Sequence, residues 1–249
     1  MGERIFNMAV HYLTQGFILK KDNLREADQV FTVFTKDFGK LKIIGKAIRK
    51  IKSKLRSGAD LFYLSEIEFI QGKTHKILTD AFVVNKFKNI KEDQEKLEIA
   101  YQIAEAADNL IKGSEKDEKI FNLLDEVFNK LNNCSLFLVH CSLIYYYFLW
   151  NLLSILGYQI DLYHCHICQK RLKPEKFYFN PGEGIICSTC YKEEGAEVSP
   201  GVIKILRLFL KKDWDILSKL KIGGELNKSL EEVSRIYLSY YQQEDNLVK

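Results

Sequence analysis

Four cysteines stand as two Cys-x-x-Cys pairs, Cys165-His-Ile-Cys168 and Cys187-Ser-Thr-Cys190, with 18 residues between them. Each pair lets one tight turn aim two thiolates at the same ion, and this spacing is that of four-sulfur structural zinc sites. A Zn2+ ion on Cys165, Cys168, Cys187 and Cys190 is therefore expected. Such a shell is closed, so the ion braces the chain and performs no reaction. A zinc deaminase would require a His-x-Glu and a proline directly before the second pair. Here His164-Cys-His166 supplies no glutamate and Pro181 does not abut Cys187. His164 and His166 read as surface residues beside a shell that four sulfurs already fill. Gln169 follows the first pair, where knuckles of this kind often carry glycine. No Walker-type phosphate loop, GxGxxG, GxSxG or HExxH occurs. His11, His75 and His140 stand singly, which suits structural roles. The chain is not expected to be an enzyme.

The second group of residues with chemistry to offer is cationic. Residues 36–56 hold nine basic residues, Lys36, Lys40, Lys42, Lys46, Arg49, Lys50, Lys52, Lys54 and Arg56, against the single acid Asp37. The chain as a whole is nearly balanced at +4, with +6 in residues 1–80 and −2 in the remainder, so the positive charge is concentrated there. A one-sign cluster of this density releases the counterions condensed on a polyanion, and that release drives binding. A basic hairpin that only keeps a sheet edge soluble would mix its signs. These nine residues are the expected nucleic-acid contacts. Phe31, Phe34, Phe38, Phe62 and Tyr63 interleave with or flank them as candidate surfaces on which bases stack. Taken singly, each suits a core position better, because alternate strand positions face inward.

Elements must position both groups. Five runs rich in β-branched and aromatic residues, at 16–20, 29–35, 40–44, 61–70 and 77–84, alternate with turn residues at 21–23, 37–39, 57–58 and 71–72. Five strands in this length suit a small barrel better than a sandwich, which wants about seven. Residues 86–94 are polar and read as a linker. Helical spacing follows at Leu97, Ala100, Tyr101, Ala104 and Ile111, with a helix start at Ser114-x-x-Asp117 and a stripe from Ile120 to Leu131. Residues 161–195 interrupt this with the cysteine pairs, a strand at 177–179 and a turn at 182–184. Helices resume at Pro200, and a capping box of Ser229 and Glu232 marks the start of the last one. The domains expected are thus 1–85, a linker 86–94, and a helical domain 95–249 that carries the metal-binding module at 161–195.

Hydrophobic residues at 47% and charged residues at 28% exclude wholesale disorder. From Leu131 to Ile160 no Lys, Arg, Asp or Glu occurs, a length able to span a bilayer. Three consecutive tyrosines in its middle favour a buried helix at the centre of a helical domain, since tyrosine prefers the membrane interface. The N-terminus lacks the pattern of a secretory signal, and the cysteine pairs suit metal binding, so a cytoplasmic location is expected. On one helix, seven residues would separate Cys134 from Cys141 by about 10.5 Å. That lies beyond disulfide reach, so both are expected as buried thiols.

The order of these parts resembles the RecO family of bacterial recombination mediators. The matching residues are Gln15-Gly-Phe-Ile-Leu-Lys20, Ala27 to Leu41, Lys46-Ala-Ile-Arg-Lys50 with Ser53-Lys-Leu-Arg56, and Leu61 to Glu68. Further on, Leu156-Gly-Tyr-Gln-Ile-Asp161 leads into the first cysteine pair, and Phe179-x-x-x-Glu-Gly184 into the second. The resemblance covers nearly the whole chain. It implies an α+β multidomain protein: a five-stranded oligonucleotide-binding (OB) barrel, then a helical domain with a four-cysteine zinc insertion. It also implies binding and annealing of single-stranded DNA, binding of double-stranded DNA, and cooperation with RecR. Single-strand-binding protein and, indirectly, the RecA recombinase are further implied partners, with no membrane involved. Some members of the family lack the cysteines, which places zinc outside the shared activity. Two other readings follow from the residues alone. One is an RNA-binding or translation-associated barrel protein, separable by competing matched DNA and RNA strands. The other is a membrane-anchored interaction protein using residues 135–158.

Overall fold

The computed structural model of the chain describes residues 10–134, 141–192 and 195–247. It divides into two compact units, residues up to 94 with 100–128, and residues 95–99 with 129 onward.

In the first unit, β1 (His11–Asn23), β2 (Gln29–Thr35), β3 (Gly39–Gly45), β4 (Leu64–Gln71) and β5 (Lys76–Asn85) close in the order β1-β2-β3-β5-β4. Four of the pairings are antiparallel. The seam between β3 and β5 is parallel and short, with Ile43 opposite Lys76 and Ile44 opposite Ile77. Irregularities at Ile18/Lys20 and Glu68/Phe69 give the long strands the extra coil that closure demands. Alternating side chains fill the interior: Ile18, Phe31, Val33, Leu41, Ile43, Ile67 and Phe69. The five strands expected from the sequence are thus those of a small closed barrel of OB type.

The outside of β1 carries a second apolar cluster. Phe17 is fully buried, with its ring centroid 5.2 Å from that of Phe121 and 5.5 Å from that of Phe128. Phe62 and Phe87 join the same cluster. Phe121 and Phe128 lie on α3 (Glu118–Asn133), and Tyr101 of α2 (Gln94–Leu110) meets Phe62 edge-on at 4.9 Å. This is why residues 100–128, which the sequence suggests belong with the helices, fold with the barrel. Residues 86–94, expected as a linker, hold the short helix α1 (Lys88–Lys91), and Phe87 and Ile90 there are buried. Helix α3 starts one residue after Asp117, whose carboxylate accepts from the Lys119 and Ile120 N–H groups, so Asp117 and not Ser114 caps it.

The second unit is built on α4 (Ser142–Ile155), ten of whose 14 residues are buried. Around it lie α5 (Pro200–Leu210), α6 (Trp214–Leu217) and α7 (Gly224–Leu247). Polar groups inside this apolar helix are satisfied. Asn151 donates to the carbonyls of Tyr147 and Phe209, and Trp150 donates to Ser234 Oγ at 2.9 Å. Among the described residues no helix is long and apolar enough to cross a membrane. The expected start of α5 is observed, with Ser199 capping Val202 N–H and Pro200 in the first turn. The last helix begins at Gly224, five residues before Ser229, with half-buried Leu226 one turn ahead of buried Leu230.

The sulfurs of Cys134 and Cys141 are bonded to one another, with Cα atoms 6.4 Å apart. This corrects the expectation of two thiols on one helix: α3 ends at Asn133 and α4 begins at Ser142, so the helical spacing does not apply. His140, read as a lone structural histidine, falls outside the described residues, as do residues 1–9.

Candidate nucleic-acid interface and metal centre

The basic run is not one hairpin. Lys36 sits in the β2–β3 turn, Lys40 and Lys42 on β3, and Lys46 to Arg56 in the connection that leads from β3 to β4. That connection has little regular structure beyond a 3₁₀ turn at Lys54–Ser57. It is nonetheless anchored. Ile48 is buried as part of the barrel core, and Leu55 packs against the same core. Asp28 Oδ1 accepts from Ala47 N–H at 2.7 Å, and the Ala27 carbonyl accepts from Arg49 N–H at 3.1 Å. At the far end a Cβ on Gly58 would lie 1.8 Å from the Ala81 carbonyl oxygen, so only glycine allows that backbone approach.

Eight of the nine cations, all except Lys40, are exposed. None of these eight is ion-paired among the described residues. Lys40 differs. Its Nζ donates to the Asp108 carbonyl at 2.6 Å and lies 3.3 Å from Asp108 Oδ1. Burial lowers its pKa against the opposing pull of Asp108. Its charge is met inside the protein by Asp108, unlike that of the eight exposed cations. Behind the basic connection, Asp60 is a hub. It accepts from Lys21 at 2.6 Å and from Lys91 at 2.7 Å. Burial opposes its charge, but the two ammonium groups prevail and hold its pKa at about 2.

For the aromatics the core reading holds in three of five cases. Phe31, Phe34 and Phe62 are core side chains, at most 1% exposed. Phe38 is half-buried, edge-on to Tyr12 and Phe69, and the half-buried Tyr63 ring lies 4.1 Å from Lys91 Nζ. Within the basic run, an apolar side chain that does reach solvent is one that sequence reasoning missed. Ile51, between Lys50 and Lys52, is 94% exposed. Its lack of an alternating neighbour pattern was the only available signal.

The cysteine module is a small three-stranded sheet in the order β7-β6-β8, from β6 (Phe177–Asn180), β7 (Gly184–Cys187) and β8 (Ala196–Val198). Phe179 anchors it in the second unit, against Trp150 at 6.1 Å and Tyr237 at 5.7 Å. The four sulfurs converge as the spacing anticipates, all within 4.8 Å of one another, and Cys168 and Cys187 Sγ are 3.9 Å apart. A tetrahedral ion with metal–sulfur bonds near 2.3 Å sets sulfurs about 3.8 Å apart, so the donor set fits a metal ion. Burial raises the Cys165 thiol pKa, but the N–H groups of Cys168, Cys187 and Ile167 bring it down to about 6. Hydrogen bonding to the Cys187 and Cys168 side chains pushes Cys190 up to about 12. The metal-free cluster therefore retains protons that an ion must displace. Gln169 adopts the left-handed conformation, φ 57°, in which glycine is usual, and its side chain donates to the His166 carbonyl at 2.7 Å. His164 and His166 are exposed, and His164 Nδ1 lies 2.8 Å from Asp161 Oδ2, away from the sulfur cluster.

Comparison with known proteins decides the lineage. Residues 8–87 match the family model for the Recombination protein O N terminal, and residues 91–248 match the one for its C terminal. The chain belongs to the RecO family. A protein of Dehalococcoides mccartyi named DNA repair protein RecO is 29% identical over 231 residues, covering 92% of this chain and 90% of the relative. The protein of that name from Moorella thermoacetica is 30% identical over 234 residues, with 92% and 86% covered. A third, from a Thermoanaerobacter species, is 27% identical over 231 residues, with 90% of each chain covered. The two RecO-family segments meet near α1, between β5 and α2.

Proposed function

We propose that this RecO-family chain is a DNA-binding mediator of recombinational repair that acts without catalytic turnover. The observation that carries the reading is the set of eight exposed cations with no ion-pair partner among the described residues, seven of them on one anchored connection at the barrel end or on β3 beside it. Lys36, Lys42, Lys46, Arg49, Lys50, Lys52, Lys54 and Arg56 would hold the sugar–phosphate chain of single- or double-stranded DNA. Two strands neutralised in this way repel each other less, which favours annealing. Family membership supports RecR and single-strand-binding protein as partners, assistance in loading the RecA recombinase, and a cytoplasmic location. Zn2+ is the ion best suited to Cys165, Cys168, Cys187 and Cys190, because four thiolates in a closed tetrahedron are its usual structural shell. Its contribution there is to brace the module.

The test is replacement of Lys46, Arg49, Lys50 and Lys52 by glutamate. Single-strand binding should be lost, and any residual affinity should show a much flatter dependence on salt. If the variant kept the parent's affinity and salt slope, the interface would lie elsewhere. Metal analysis of the purified protein, with about one zinc per chain expected, tests the ion separately.

A further inference from the structure

Beside the basic connection lies a cavity of about 360 Å3. Ile48 and Ala59, both buried, give it an apolar floor. Its polar lining consists of Lys21, Gln29, Arg49, Arg56 and Asp60, and the commitments of these five differ. Asp60 is saturated by Lys21, Lys91 and the Leu61 N–H. The charge of Lys21 is thereby spent. Gln29 donates one amide hydrogen to Asn23 Oδ1 at 3.0 Å and keeps its carbonyl oxygen for another partner. Arg49 and Arg56 have no side-chain partner among the described residues.

The distribution of residue types is selective. Residues 36–56 contain only two arginines, and both line this cavity, whereas none of the seven lysines does. Lysine is a flexible point charge, adequate for following a backbone whatever its sequence. Arginine presents a rigid fork that grips two oxygens of one phosphate. Two uncommitted forks facing one recess also exceed the single negative charge of an internal phosphodiester. A phosphomonoester carries about −1.5 to −2 near pH 7 and offers three terminal oxygens.

We propose that this recess binds the terminal phosphomonoester of a DNA strand, with Arg49 and Arg56 gripping the phosphate and the Ile48–Ala59 floor meeting the last nucleotide. The inference deepens the strand-binding reading above and rests on it. A terminal phosphate has one exit for the chain, so it can enter a recess that an internal phosphate, continued on both sides, enters less readily.

The experiment compares one oligonucleotide sequence bearing a 5′-phosphate, a 3′-phosphate, or hydroxyls at both ends, titrated into the full chain by fluorescence anisotropy. One of the phosphorylated strands should bind about tenfold more tightly than the hydroxyl-ended strand, the gain expected of one added charge-assisted contact. The preference should fade as pH falls through about 6, where the monoester takes up its second proton. Arg49→Gln with Arg56→Gln should abolish it. Arg49→Lys with Arg56→Lys, which keeps the charge and loses the fork, should reduce the preference. Equal affinity of the parent for all three strands overturns the inference while leaving strand binding intact. So does a preference that survives the glutamine pair. A deoxynucleoside 5′-monophosphate that binds as tightly as the phosphorylated strand makes the recess a mononucleotide site and overturns the strand-end assignment. Absence of binding to any strand overturns the strand-binding reading, and this inference with it.

Discussion

The connection at residues 46–60 and the cysteine module at 161–198 face the same physical problem and meet it in opposite ways. Each is a largely irregular stretch that buries too little apolar surface to hold its own shape. The connection borrows a core: Ile48 and Leu55 reach into the barrel, Asp28 and the Ala27 carbonyl receive its backbone, and Asp60 ties its end to Lys21 and Lys91. Because apolar groups and backbone do the holding, its cations have no ion-pair partner among the described residues. The module instead spends its reactive side chains on itself. All four of its thiols converge on one point, and among the described residues Leu162, Phe177, Phe179, Ile185, Ile186 and Val198 give it a small apolar side. A segment whose polar groups are left over after folding has something to offer a partner; one whose polar groups are consumed by folding does not.

The largest expected effect comes from chelating the zinc proposed for the module. Apparent zinc binding energies in small metal-clipped domains run to about 10 kcal/mol or more, and that energy is folding energy. Chelation should therefore release residues 161–198, read as loss of hydrogen-exchange protection there, while strands β1 to β5 keep theirs and single-strand affinity stays within about twofold. Loss of strand binding in a chelated protein whose barrel remains protected would put the module in the interface and sink the distinction. The converse experiment removes the plug from the other region. Ile48→Ala should cost about 2–5 kcal/mol, the usual range for truncating a buried aliphatic residue. It should be measured by denaturant unfolding of the barrel signal. Zinc content should not change.

How much of this contrast was written in the residue order differs between the two regions. The cysteine spacing alone specified the four donors, because ligand chemistry is local: two short turns are enough to make the cluster. Strand alternation likewise made the barrel legible, since period-two patterning survives whatever lies beyond. What was hidden depended on distant partners. Lys40 resembles its basic neighbours in sequence, and only the arrival of Asp108, 68 residues on, sets it apart from the exposed cations. Phe17, Phe62, Phe121 and Phe128 are unremarkable singly, but together they draw residues 100–128 into the compact unit of the barrel. The Cys134–Cys141 bond was missed for the same reason, because helical spacing was carried across a point where the helix had ended.

Acid sharpens the account of the borrowed core. The folded pKa of Asp60 is depressed to about 2 from an ordinary 3.8 by Lys21 and Lys91, which overcome the contrary effect of burial. A depressed carboxylate contributes stability that is fully present above its unfolded pKa and is lost as pH falls through the folded one. Because the pair is partly exposed, we expect a contribution of about 1–2 kcal/mol and not the full value of the shift. Parent and Asp60→Asn should thus differ in unfolding free energy at pH 5 and converge as pH drops toward 2. A constant difference across that window would mean that the lysines are not what holds the carboxylate.

The smallest effect probes the module's self-sufficiency at one dihedral angle. Gln169 occupies a left-handed position, φ 57°, immediately after the first cysteine pair. A side chain there costs about 1–2 kcal/mol in crowding between Cβ and the backbone. Its hydrogen bond to the His166 carbonyl returns part of that cost. Gln169→Ala keeps the crowding and loses the bond, so it should destabilise the metal-bound module. Gln169→Gly loses the bond and the crowding together but gives the unfolded chain more freedom, so it should lie close to the parent. The two variants should differ by about 1 kcal/mol with glycine the more stable, measured as competition for zinc against a chelator of known affinity. Should alanine match glycine, the turn would not require a left-handed residue, and the knuckle would be shaped by the metal alone.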